Sequence, residues 1–145
     1  MDFLTIPDFK GILADTIQTD LSAGFDKAEK MAISELDPLR VKYDIDGELD
    51  KNGDNRNITL VRMVVNITAY YVYNTVVDDE IPQRIIDNWK HELATIEKIA
   101  SGKMNSTLDS LTDDDGNSVT VFRWNSNPKR SHSLYPKSTT AKDTI

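Results

Sequence analysis

The stretch from Ile58 to Val77 constrains this chain more than any other. It is twenty residues long, strongly apolar, and holds neither glycine nor proline. Its many β-branched residues favour a strand. Twenty residues without alternation or a turn residue, however, outrun ordinary strands. Ile58, Val61, Val65, Ala69, Val72 and Val76 share one helical stripe, which Leu60, Val64, Ile67 and Tyr71 broaden. The spacing predicts a helix roughly 30 Å long, capped at its start by Asn57. A helix apolar over so wide an arc must be nearly surrounded by other protein. The fold class that follows is mainly α: a small bundle of about four helices.

The other helices are read from their punctuation. Pro7 is placed to open the first, with Phe9, Ile12, Leu13 and Ile17 on one face. Ser22 or Gly24 opens the second. Phe25, Ala28, Met31, Ala32, Glu35 and Leu36 keep its period, and Pro38 ends or bends it. Asp78, Asp79, Glu80 and Pro82 precede the fourth, a sequence suited to a helix start. Ile85, Ile86, Trp89, Leu93, Ile96, Ile99 and Ala100 form its apolar face, and Gly102 is placed to terminate it. These segments make residues 1–103 a helical body. Within that body, residues 44–57 read as a long acidic loop. Residues 104–118 read as a polar linker. Residues 119–145 read as a basic, extended tail, partly β over Val119–Trp124, that cannot build a core alone.

Charge divides along the same line. Residues 119–145 hold five cations against Asp143, a balance of +4, so residues 1–118 account for −11 of the chain's net −7. An acidic body with a basic extension can associate head-to-tail or dock on an acidic neighbour. The tail also mixes cations with large anchors: Phe122, Arg123, Trp124, Lys129, Arg130, Leu134 and Tyr135 are the candidate docking residues. Trp, Tyr and Arg dominate interface energetics. The same mixture could stack on bases and contact phosphates, though an acidic body repels a nucleic-acid backbone.

Signals for chemistry are sparse. The chain has no cysteine, which removes disulfides, thiolate catalysis and cysteine zinc sites. His91 and His132 are too far apart in sequence to form a metal-ligand spacing. No glycine-rich phosphate loop occurs. Glu48, Asp50, Asn52, Gly53 and Asp54 echo part of a calcium loop, but Thr59 stands where its closing bidentate glutamate would be needed. No cofactor, metal or catalytic residue is assigned. No apolar run reaches the roughly 18 residues of a membrane span, and no signal peptide is recognised at the N-terminus.

Three phrases together resemble a known family. They are Phe25-Asp-Lys-Ala-Glu-Lys-Met-Ala-Ile-Ser-Glu-Leu36 followed by Arg40-Val-Lys-Tyr43, then Val61 to Tyr73, then Ile85 to Lys103 with its closing Ile-Ala-Ser-Gly-Lys. Over about residues 25–103 the chain resembles the small helical head-completion and head-tail connector adaptor proteins of tailed bacteriophages and Mu-like prophages. It departs from them in the length and acidity of loop 44–57 and in Pro38, and the tail has no match. The resemblance implies a structural virion protein, not an enzyme, assembled in the host cytoplasm. It implies a homo-oligomeric ring beneath the portal, usually of twelve copies, touching the portal and the next connector or tail protein. DNA would pass through the ring without specific recognition, which an acidic lumen suits. A ring needs two different faces per subunit, and the broad apolar face of the third helix and the tail aromatics are the expected pair. The alternative is a small binding module that contacts nucleic acid through its basic tail.

Overall fold

The computed structural model describes residues 2–119 other than Leu21, Val76, Asp78 and Asp79. Five helices run in the order α1 (Asp15–Asp20), α2 (Ser22–Ser34), α3 (Ile45–Leu49), α4 (Ile58–Thr75) and α5 (Gln83–Ala100). The fold is mainly helical, as the periodicity predicts. The partly β character expected of the tail lies outside the described residues, apart from Val119.

Helix α4 is the axle of the bundle, packed against α2 on one side and α5 on another. Asn57 starts it: its side-chain oxygen accepts the N–H groups of Thr59 at 3.0 Å and Leu60 at 3.3 Å, two donors that a helix start otherwise leaves unpaired. Leu60, Met63, Val64, Val65, Ile67, Ala69 and Val72 are all buried. Helix α5 turns Ile85, Ile96 and Ile99 inward, and Trp89 lies flat on Tyr70 of α4 with ring centroids 4.0 Å apart. Gly102 takes φ +74° just past α5, and the N–H groups of Lys103 and Met104 return to the Lys98 carbonyl at 2.8 and 3.1 Å. That is the left-handed glycine stop expected of this position.

Two expectations are corrected. The first helix does not run on from Pro7. Ile6–Phe9 is a single 3-10 turn closed by the reciprocal Thr5–Asp8 cap. Gly11, at φ +81°, then reverses the chain before α1. The acidic stretch 44–57 is not an open loop. Asp44 caps α3 through the Gly47 N–H at 3.0 Å, and Gly53–Asn55 forms a further 3-10 turn. Ile45 is buried and Leu49 packs against the core, so the stretch is stitched to the body by two apolar residues among many polar ones. Pro38 sits in a third such turn, Asp37–Leu39, past the end of α2 and against α5.

The N-terminal segment is clamped from two sides. Glu29 of α2, buried, accepts the N–H groups of Asp2, Phe3 and Leu4 at 2.9, 3.0 and 2.7 Å. Arg56 donates to the Phe3 carbonyl at 3.0 Å and forks onto the Asp8 carboxylate at 2.8 and 3.1 Å. Burial of Asp8 works against its charged form. The hydrogen bonds from Arg56 and Thr5 outweigh it, and hold the Asp8 carboxyl below its ordinary value. Phe3, Leu4 and Phe9 are thereby delivered to the core, where Phe9 meets the edge of Phe25 at 4.9 Å.

Candidate functional site

The tail residues singled out from sequence, Phe122, Arg123, Trp124, Lys129, Arg130, Leu134 and Tyr135, lie outside the described residues. The structure does show what carries the chain to them. Residues 104–119 form a strap bound to the helical body rather than a free linker. Asn57 donates to the carbonyl and hydroxyl of Thr107, both at 3.1 Å. Leu108 is buried. The Asp109 N–H donates to Glu48 at 2.9 Å, the Asp109 carbonyl accepts from the Asp44 N–H at 2.9 Å, and the Leu111 N–H reaches the Lys42 carbonyl at 3.1 Å. Lys51 spans the Asp109 carboxylate at 2.7 Å and Glu48 at 3.2 Å, and its hydrogen bond holds the Asp109 carboxyl below the usual range. A small hairpin follows, pairing Thr112 with Ser118 and returning the Val119 N–H to the Leu111 carbonyl at 2.8 Å. The basic extension therefore leaves the acidic body from a fixed point. Composition reads this segment as linker because Leu108 is the one buried apolar residue among its polar neighbours.

Where the strap leaves α5 it borders a cleft of about 270 Å³. Thr59 and Arg62, one turn apart on α4, form one wall. His91, Thr95 and Lys98, at successive turns of α5, form the other, and strap residues 104–107 close the end. No carboxylate lines the opening. Glu92 lies beneath it, fully buried. It pairs with Arg62 at 3.0 and 3.1 Å and accepts the Asn66 amide at 2.9 Å. This underpinning fixes Arg62 at the rim, because a buried carboxylate needs its partners. His91, an isolated histidine by sequence, is thus one of three basic side chains around a single opening. No local pattern signals it, because its lining comes from two helices and the strap.

Glu29, Glu48 and Glu92 are all buried, and each ties a separate element to the bundle. Sequence reading left all three unassigned, apart from Glu48 as the first residue of the calcium-like run. The Glu48 carboxylate faces Asp109 and Lys51. Among the described residues no group of three His, Asp or Glu side chains is placed to hold a metal ion.

A fourth acidic contact has a titratable consequence. The Tyr71 hydroxyl donates to Glu35 of the neighbouring segment. Burial, then that hydrogen bond, pushes the Tyr71 phenol up to about 12. Because the folded value lies above the ordinary one near 10, this stabilisation is complete below pH ~10 and is lost as pH rises towards ~12. An ultraviolet titration should show one tyrosine ionising about two pH units late, and Tyr71→Phe should delete that step alone. A full set of ordinary tyrosines in the unsubstituted chain would refute the contact.

No protein-family model, curated protein or solved structure matches this chain.

One expected contact surface is also corrected. The apolar face of the third helix, α4 here, is consumed by the chain's own core, so it is not available to a neighbour. Among the described residues of its apolar stripe, Ile58 at the helix start is the one left open, 83% exposed. No helix among the described residues is long and apolar enough to cross a membrane.

Proposed function

We propose that this chain is a structural assembly subunit, of the head-tail connector kind found in tailed bacteriophages, and that it is not an enzyme. The observation that carries the reading is the division of charge at a structurally fixed point. The body to residue 118 carries −11, the 27 residues that follow carry +4, and the strap bonds Leu111 to Val119 at the junction. An anchored basic extension on an acidic body suits a subunit that clasps the next one. A repeated acidic body around a channel suits a wall past which DNA slides without being held. The resemblance of residues 25–103 to connector adaptors supplies the specific setting: a ring beneath the portal, assembled in the host cytoplasm and retained in the virion. The buried carboxylates support a structural reading because Glu29, Glu92 and one oxygen of Glu48 are engaged with backbone N–H groups, Lys51, Arg62 and Asn66.

The reading is tested in two ways. Mass spectrometry of virions purified from the phage or prophage carrying the gene should find the chain in multiple copies per particle. Removal of residues 120–145, which spares the Val119 N–H bond to Leu111, should abolish incorporation. The circular-dichroism melt should stay within a few degrees of the full chain. Absence from particles would reject the connector reading. Salt-sensitive DNA binding that vanishes with the same deletion would favour the nucleic-acid module instead.

A further inference from the structure

A ring subunit needs two unlike faces, and the apolar face of α4 is not one of them. The described body offers another pair. One member is the cleft rimmed by Arg62, His91 and Lys98. The other is the hairpin tip Asp113-Asp114-Asp115, exposed at the far end of the strap. We propose that the cleft of one copy receives the Asp114–Asp115 tip of a second copy, making a head-to-tail contact. This rests on the assembly reading given above and names the surfaces it would use.

Three observations carry it. The tip is already shaped for insertion. The Asp113 carboxylate accepts the N–H groups of Asp115 at 3.1 Å and Asn117 at 2.8 Å, its carbonyl accepts from Gly116 at 2.9 Å, and Gly116 supplies the positive φ of +80° that closes the turn. A turn fixed in advance loses little freedom on binding. The tip's two outer acids are also unpaired. Asp8, Asp46, Glu92 and Asp109 each face an Arg or Lys, whereas the Asp114 and Asp115 side chains have no cation or hydrogen-bond partner among the described residues. The cleft is the complementary case. Lys98 and His91 have no side-chain partner among the described residues, and Arg62 uses Nε and Nη2 on Glu92. At about 270 Å³ the cleft falls short of the roughly 300–1,000 Å³ of small-molecule sites. It admits two short carboxylate side chains. No ion pair joins the tip to the cleft within one chain among the described residues, so the match is satisfied between copies. Such a contact uses two different faces and propagates into a closed ring or a filament.

The test is a charge swap in the full-length chain, read by sedimentation velocity over a range of protein concentration. Lys98→Glu is an exposed change, and Asp114→Lys with Asp115→Lys alters only the turn's outer side chains. The unsubstituted chain should self-associate, less so as salt is raised. Each variant alone should associate about tenfold or more weakly, because like charges then face each other. Mixing the two, or combining all three substitutions in one chain, should restore association, which misfolding could not do. An unsubstituted chain that stays monomeric, a Lys98→Glu variant that associates normally, or a mixture that fails to recover would each overturn the contact. Self-association indifferent to the swap would leave the connector reading standing. A swap that behaves as described in a protein missing from virions would reject the connector and keep the contact.

Discussion

Glu29→Ala should cost about 3–5 kcal/mol of unfolding free energy and free residues 2–4 from the bundle. The side chain accepts three backbone N–H groups, those of Asp2, Phe3 and Leu4, in a region where Phe3 and Leu4 are buried. Leaving a buried donor without a partner costs about 1–3 kcal/mol each. The full sum is not reached, because the segment can leave the body and hydrate. Its departure then exposes two apolar side chains worth about 1.5–3 kcal/mol each. Both routes arrive at a similar loss, so the range is narrower than either taken alone. Hydrogen exchange should show protection vanishing at Phe3 and Leu4, and urea unfolding should give the magnitude. Glu29→Gln is the informative control. Its remaining carbonyl oxygen keeps part of the set, but its amide turns a donor towards another donor, so the loss should be about 1–2 kcal/mol. If Glu29→Ala unfolds within about 0.5 kcal/mol of the unsubstituted chain, the clamp does not hold the N-terminus.

Glu92→Ala should be the second most damaging single change, at about 2–4 kcal/mol, and its effect should reach the cleft. Glu92 of α5 is buried against α4, where it holds Arg62 with both oxygens and satisfies the Asn66 amide. Its removal leaves Asn66 as a buried donor with no acceptor. Arg62 is 51% exposed at its side chain, so its guanidinium turns to water at lower cost than a fully buried partner would. That asymmetry keeps the estimate below the ~3–5 kcal/mol of breaking a deeply buried ion pair. The thermal midpoint should fall by about 10 °C for a chain of this size. Glu92→Gln, which keeps an acceptor for Asn66, should recover most of it. A Glu92→Ala variant that melts with the unsubstituted chain would show that Asn66 and Arg62 find other partners.

These two residues mark where legibility in the sequence ended. Both glutamates sit in amphipathic helices, at positions that pattern reading assigns by default to a solvated face. Which carboxylate is buried depends on what the rest of the chain places opposite it. For Glu29 the decisive groups lie at residues 2–4, and for Glu92 they lie at 62 and 66. Those pairings are set by the packing of α2 and α5 on α4, and they leave no trace in a local pattern. The cleft was hidden for the same reason. Arg62, His91 and Lys98 come from two helices about thirty residues apart, and only the crossing of α4 and α5 brings them to one rim. The strap was hidden because its few apolar residues, Met104, Leu108, Leu111 and Val119, follow no period, while its other anchors are bonds to residues 42–44, Glu48, Lys51 and Asn57.

What local physics could fix, it fixed. The long unbroken apolar run made α4 a helix needing cover on most sides. Asn57 and Gly102 marked helix ends through capping geometry that depends on near neighbours alone. The charge division at residue 119 is a property of composition. By itself, then, the sequence determined the mainly helical class, the central helix and the separation of an acidic body from a basic extension. The tertiary structure alone decided that α4's apolar face is used up internally, that three glutamates are interior tie-points, and that Arg62, His91 and Lys98 meet around one cleft. The physical reason is range. Periodicity and capping act within a turn or two of chain, whereas burial and charge pairing are set by whichever distant segment the fold brings alongside.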